Sequence, residues 1–424
     1  MGGIAVMLAG HMFQLPPVKA AGTWFLDLLW AARRDRGDNV GATKAREQTR
    51  NFAEGLRVLR AAKRFDLTHN FRAERDPDFA AALDTLCDID ADASLAPVLD
   101  SVTLYDATDQ QYQFGPFAVL SNVERQFINQ RKLEEYATFH RLPILRWKWP
   151  VPGLDLDSEL YEHEPGLWGY FVEGAPVQLN VTFNSSRGAA NGSQALMHSL
   201  QFTSTPCRQV QRALAKSGSY TGPTFLDIDY KHVGNLVLQM SGADWHGVPL
   251  PDLRHVLPPL PDPVTGVDVH DLAVIPLRSP GGERQEVKFC SVFAAQHNFR
   301  SAKPAKCTFE LAFAVTDYKL QGMTLERLVI VAGTPVPPLR HTRSSAYVQL
   351  SRVRQNKQNR LLLLDSEARG ILERVEHREE LLVFEQAYGP DGLFCAERAL
   401  AAYDEIRSHA SSTNTRRRLD FSTT

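Results

Sequence analysis

The chain contains no GxxxxGK[ST] stretch, so it lacks the glycine loop and Lys-Ser/Thr pair that wrap the β- and γ-phosphates of a nucleotide and hold magnesium. Gly2, Gly3 and Gly10 near the start lack that pair, and no acidic pair at a strand end precedes Gly10. Cysteine is sparse. The five, at positions 87, 207, 290, 307 and 395, form no CxxC pair and have no His cluster beside them, which argues against structural zinc and for a reduced, intracellular setting, nuclear or cytoplasmic. No long apolar run is present; Ile4 to Gly10 is too short to span a bilayer and follows no basic stretch, so neither a membrane span nor a signal peptide is expected. A formal charge of -2 over 424 residues gives no global field to attract a polyanion, so any nucleic-acid contact must be local. His11, His69, His140 and His198 show no spacing of a catalytic set.

What is there reads as α/β. Ile4 to Leu8 has the character of a buried parallel strand feeding a loop, which Pro16-Pro17 closes. Apolar spacing predicts helices from Thr23 to Arg34 and from Ala42 to Lys63, and a strand from Phe65 to Leu67. A helix is expected over Asp76 to Leu86, opened by an Asp. Pro116 to Leu120 reads as a strand and Val123 to Phe139 as a helix. Arg141 to Pro150, RLPILRWKWP, is either a strand with Trp147 and Trp149 on one face or an aromatic platform for bases. The stretches APVQLNV and QALMHSLQF alternate like strands around an Asn191-Gly192 turn signal, the start of a β-rich module whose far side blurs into a proline-dense connector from Pro249. Strands return at Phe309 to Val315, Arg327 to Gly333 and Arg360 to Leu364, and helices follow at Ser366 to His377 and Ala396 to His409. The tail, with Arg416 to Arg418, reads as disordered.

Four separated segments carry chemistry. GHMFQLPPV, Gly10 to Val18, offers Gln14, whose neutral amide can orient water or a phosphate oxygen. LTHNFRAERDPDF offers Arg72, a planar guanidinium able to grip two phosphate oxygens. SNVERQFIN offers Asn122 and Asn129 at a helix opening. FAVTDYKLQGMTLERLVIV offers Thr316, Lys319, Gln321, Gly322 and Thr324 around a strand end and a glycine turn, groups suited to backbone phosphates; SSAYVQLSRVRQ follows with Arg352 and, beside it, Arg354, while Tyr347 and Leu350 are expected to pack.

In this order the segments resemble the later motifs of superfamily-one helicases of the RecD-like, Pif-type and Helitron-associated branch. The resemblance covers Gly10 to about Leu364, weakly in the middle. It departs at His11, where the family has Asp, and at Leu320, where Ser is usual. What it implies is an α/β chain: a RecA-like second motor domain with a small β-rich insertion and a remnant of the first motor domain. ATP and Mg2+ are the cofactors of the intact family. The resemblance assigns Gln14, Arg72 and Arg352 to catalysis, adds Gln321 and Gly322 to the nucleotide, gives Thr316, Lys319, Thr324 and Asn122 to single-stranded DNA, and assigns no metal ligand. It implies 5′-to-3′ movement on DNA.

The expected domains are 1–66, the end of the first motor domain with linking helices; 67–170 and 306–366, the two parts of the second; 171–305, the β-rich insertion with its connector; and 367–424, a helical extension and tail. Without the phosphate loop the chain is expected to bind ATP and magnesium poorly. It reads as a fragment missing an N-terminal motor half, as a degenerate helicase, or as an ATP-independent single-stranded DNA-binding protein.

Overall fold

In the computed structural model, the described residues are 13–15, 54–55, 57–66, 70–88, 95–109, 112–205, 208–240, 256–257, 272–278, 282–289, 291–333, 341–357 and 360–406. The strand at Ile4, the Pro16-Pro17 loop, the helix from Thr23, most of the helix from Ala42, most of the proline-dense connector and Arg416 to Arg418 lie outside them.

The elements that position the sites are, in order, α1 (Pro77–Asp84), β1 (Thr103–Leu104), β2 (Phe117–Val119), α2 (Asn122–His140), β3 (Ile144–Lys148), β4 (Trp168–Phe171), β5 (Pro176–Leu179) and β6 (Gln194–Phe202). There follow β7 (Phe225–Asp227), β8 (Val233–Gln239), β9 (Val256–Leu257), β10 (Leu272–Pro276), β11 (Phe309–Leu311), β12 (Ala314–Thr316) and β13 (Leu328–Ile330). The series closes with α3 (Arg343–Leu350), β14 (Leu361–Leu363), α4 (Ser366–Leu372) and α5 (Glu379–Gln386). Among the described residues no helix is long and apolar enough to cross a membrane.

The chain divides into two compact units, one of residues 1–104, 320–326 and 332–424, the other of 105–319 and 327–331. In the second unit, β2 is paired in parallel on both sides, with β12 in the register Val315 to Ala118 and with β13 in the register Ile330 to Ala118. All three strands are buried at every position, as short apolar runs in a covered parallel sheet should be. This is the α/β arrangement expected from the sequence. The run Phe309 to Val315 is two strands rather than one: β11 leaves the parallel sheet and pairs antiparallel with β5, so the β-rich module extends past residue 305.

Helix α2 begins at a capping box. Ser121 Oγ accepts from the Glu124 backbone N–H at 3.0 Å and the Glu124 carboxylate accepts from the Ser121 N–H at 2.9 Å, satisfying donors the first turn cannot use internally. Its buried stripe is Arg125, Asn129, Leu133 and Ala137, one residue every four. Asn129 accepts from the Ala314 N–H at 2.8 Å and donates to Leu311 O at 2.9 Å and Ala314 O at 3.3 Å, stitching the helix to the junction where β11 ends and β12 begins.

The antiparallel sheet runs β10-β8-β6-β5-β11, with β9 also on β6. Gly192 supplies the positive φ, 93°, in the β5–β6 connection that Asn191-Gly192 signalled. A separate sheet, β4-β3-β7, carries the RLPILRWKWP segment. Trp147 and Trp149 are both buried in the large core, so this segment is a strand with an inward tryptophan face, and the platform reading is set aside for these two rings.

In the first unit β1 and β14 pair in parallel. Helix α1 starts where the sequence placed it, with Asp76 accepting from the Phe79 N–H and Pro77 in the first turn. No strand forms at Phe65, whose ring is exposed.

Candidate functional site

Helix α3 is buried almost all round, from Arg343 to Leu350, and is capped by Thr342, which accepts from the Ser345 N–H. It delivers Ser351 and Arg352 into the interior of the first unit. Arg352 is 0% exposed. Its Nη1 donates to Leu320 O and Met323 O, both at 3.2 Å, and its Nη2 to Ser351 Oγ at 2.6 Å. The Leu325 N–H donates back to Arg352 O at 2.9 Å. Arg352 therefore clamps the turn that holds Gln321 and Gly322, where Gly322 sits at φ 87°. The resemblance implied a finger reaching a phosphate; the guanidinium instead lies within the protein, bound to main-chain oxygens.

Arg72 comes to the same place from the other end of the chain, donating through Nη1 to Ser351 O at 3.1 Å. Among the described residues no carboxylate pairs with Arg72 or Arg352. Burial, and then the like charge of Arg72, push the Arg352 pKa down to about 10, so it stays cationic at neutral pH. The Arg352 Nε is buried with no hydrogen-bond partner. Tyr347 packs nearby as expected, and burial raises its hydroxyl to about 12 despite both cations.

Gln321, exposed on the clamped turn, donates to Gln14 Oε1 at 3.0 Å, and Arg378 donates to Gln14 O at 3.2 Å. Gln14, Gln321, the turn, Arg352, Ser351 and Arg72 thus form one connected chain of polar contacts. Thr324 lies on the same turn, exposed. Ser351, Arg378 and the carbonyls of Leu320 and Met323 were not singled out by sequence; Ser351 adjoins a predicted residue, but Arg378 carries no motif.

The remaining predicted groups lie in the second unit. Thr316 ends β12, buried. Lys319 was expected to offer its ammonium to a phosphate, but Nζ donates to Asn180 Oδ1 at 2.8 Å and makes a close ion pair with Glu310. Glu310 also takes Arg125 Nη1 at 2.5 Å. Burial works against the Glu310 carboxylate, yet Arg125 and Lys319 outweigh it and hold its pKa below the usual range. Burial lowers the Lys319 pKa against the pull of Glu310. Asn122 is exposed at the start of α2, its Oδ1 accepting from Arg125 Nε at 3.3 Å. Glu310 went unremarked in the sequence, although a lone acid inside an apolar strand signals a buried partner.

Among the described residues no group of three or more His, Cys, Asp or Glu side chains is placed to hold a metal ion. ATP fits the site in part: the half-buried Arg72 guanidinium suits a phosphate oxygen, Arg352 is enclosed, and no described cluster suits its magnesium.

No protein-family model matches the chain, and no curated protein matches it. Among solved structures it is similar to the Pif1 helicase from Candida albicans, at 14% identity over 75% of this chain and 59% of that one, with a TM-score of 0.40. It is also similar to Bacteroides Pif1 bound to ssDNA, at 16% identity over 93% of this chain and 69% of that one, TM-score 0.46. A third is Pif1 helicase from Bacteroides in complex with ADP-AlF3 and ssDNA, at 16% identity over 89% and 66%, TM-score 0.44. The chain spans about three fifths to two thirds of the length of these proteins.

Proposed function

We propose that the chain carries the phosphate-sensing part of a superfamily-one DNA helicase of Pif type, with a surface for single-stranded DNA, and does not turn over ATP on its own. The observation that carries this is the pair Arg72 and Arg352, two cations coupled to each other, neither of them ion-paired with a carboxylate among the described residues. Buried or half-buried charge without a counter-ion is costly, and an anion relieves it. Arg72, the half-buried member, meets the phosphate; Arg352 supplies field from behind and keeps the Gln321 turn in shape. Gln14 and Gln321 offer neutral amides at the same turn, able to orient a phosphate oxygen without competing charge.

Positioning and electrostatics supply nearly all of phosphoryl-transfer catalysis, and both depend on a phosphate loop and a metal. This sequence has no such loop. The resemblance adds single-stranded DNA as the track and 5′-to-3′ as the direction in an intact machine.

The test is equilibrium binding of a fluorescent nucleoside triphosphate to the purified chain at low salt, alongside an ATPase assay. Weak triphosphate binding that drops about tenfold in Arg72→Ala, one lost charge-assisted contact, is the expected result. Triphosphate affinity indifferent to Arg72 would remove the sensing role. ATP turnover that disappears in a folded Arg352→Lys variant would show an active site this reading denies.

A further inference from the structure

A cleft of about 120 Å³ opens within the second unit, between α2, the β3–β4 sheet and the segment leading into β11. A cavity of roughly 150 Å³ accepts benzene, so this smaller but open cleft takes one six-membered ring at most, with part of it and its substituents in the mouth. Trp168, half-buried, supplies the aromatic wall, with Tyr170 and the edge of the buried Trp149 behind it. Trp168 is rigidly held: its indole nitrogen donates to Tyr161 O at 2.5 Å and the Arg146 guanidinium lies 4.3 Å from its centroid.

Opposite chemistry comes from Gln126. Its amide lies directly over Gly166, where an added Cβ would stand 2.7 Å from Cδ and Oε1 and 2.8 Å from Nε2. Glycine at 166 lets the amide rest there; a Cβ would push it aside. Yet the amide, half-buried at the cleft, makes no hydrogen bond with any described residue, whereas Gln130 beside it is spent on Glu134. A carboxamide holds one donor and one acceptor side by side, the pattern that reads the edge of a nucleobase. Arg125 and Glu310 line the cleft and Lys319 pairs with Glu310 from outside it, so the three groups sum to one positive charge, compatible with a ligand that also carries a phosphate.

We propose that this cleft is a binding site for a pyrimidine base bearing a phosphate, with Gln126 reading the ring edge and the aromatic wall stacking on its face. The cleft uses residues of the second unit and neither Arg72 nor Arg352, so triphosphate sensing can fail while it holds. The ligand chemistry has two sources, a free pyrimidine nucleotide or one residue of a strand.

Thymidine monophosphate and a short oligo-dT are titrated separately into the full chain, with tryptophan fluorescence and calorimetry as readouts. Saturable binding of the mononucleotide is expected, weakened about tenfold or more in Gln126→Ala and in Gly166→Ala, which displaces the amide. Arg131→Ala, on the exposed side of α2, leaves affinity unchanged and shows the helix intact. Mononucleotide binding without oligo-dT binding identifies a free nucleotide as the source; tighter oligo-dT binding with the same Gln126 dependence identifies a strand. Absence of any Gln126-dependent binding, or equal affinity for adenosine monophosphate, overturns the proposal.

Discussion

The Arg72 guanidinium donates to the carbonyl of Ser351, the residue immediately before Arg352, and so two like charges from opposite ends of the chain share one carbonyl-lined corner. That relationship separates what each arginine does.

Arg352→Ala should destabilise the first unit by about 2–4 kcal/mol, because it removes donors from Leu320 O, Met323 O and Ser351 Oγ and leaves them buried. Arg72→Ala loses one bond but relieves repulsion on Arg352, so its cost should stay within about 1 kcal/mol. Urea unfolding of the two variants checks the contrast; equal destabilisation would contradict the clamp.

Asn129→Ala should cost about 2–4 kcal/mol, since the Ala314 N–H and the Leu311 and Ala314 carbonyls lose a buried partner together. Hydrogen exchange should accelerate selectively at Ala314. Unchanged protection there would mean the amide is not what fixes the β11–β12 junction.

Stability of the second unit should fall in acid through Glu310. Its folded pKa lies below the usual 4.5, so between those two values the unfolded chain binds more protons; the stabilisation is complete above about 4.5 and disappears as pH drops through the folded value. Glu310→Gln should flatten that limb of a pH series of urea midpoints. At pH 7 it should also cost roughly 3 kcal/mol or more, because Arg125 is left buried without its counter-charge.

Ser121→Ala should remove one half of the α2 capping box and cost about 1 kcal/mol, with faster exchange at the Glu124 amide. Ser121→Thr, which keeps an acceptor, should restore most of it.

Local signals were legible where chemistry is local. Asp76 followed by Pro77 announced α1, and Asn191-Gly192 announced the β5–β6 turn. The apolar runs of β2, β12 and β13 announced a covered parallel sheet. Pairing partners distant in sequence were not. Nothing in FELAFAV says that Glu310 faces Arg125 and Asn180, or that the run breaks at Ala312 and Phe313 so that β11 joins another sheet. The juxtaposition of Arg72 with Arg352 was expected from ordered motifs, yet the burial of Arg352 was not, since residue type does not reveal which carbonyls a guanidinium will find.

Because Arg352 holds the Gly322 turn together through main-chain oxygens, losing it would damage folding whether or not any nucleotide is ever split. A lineage that had given up fuel consumption would still be selected to keep this arginine, and its survival in a sequence is therefore a poor witness to a working engine.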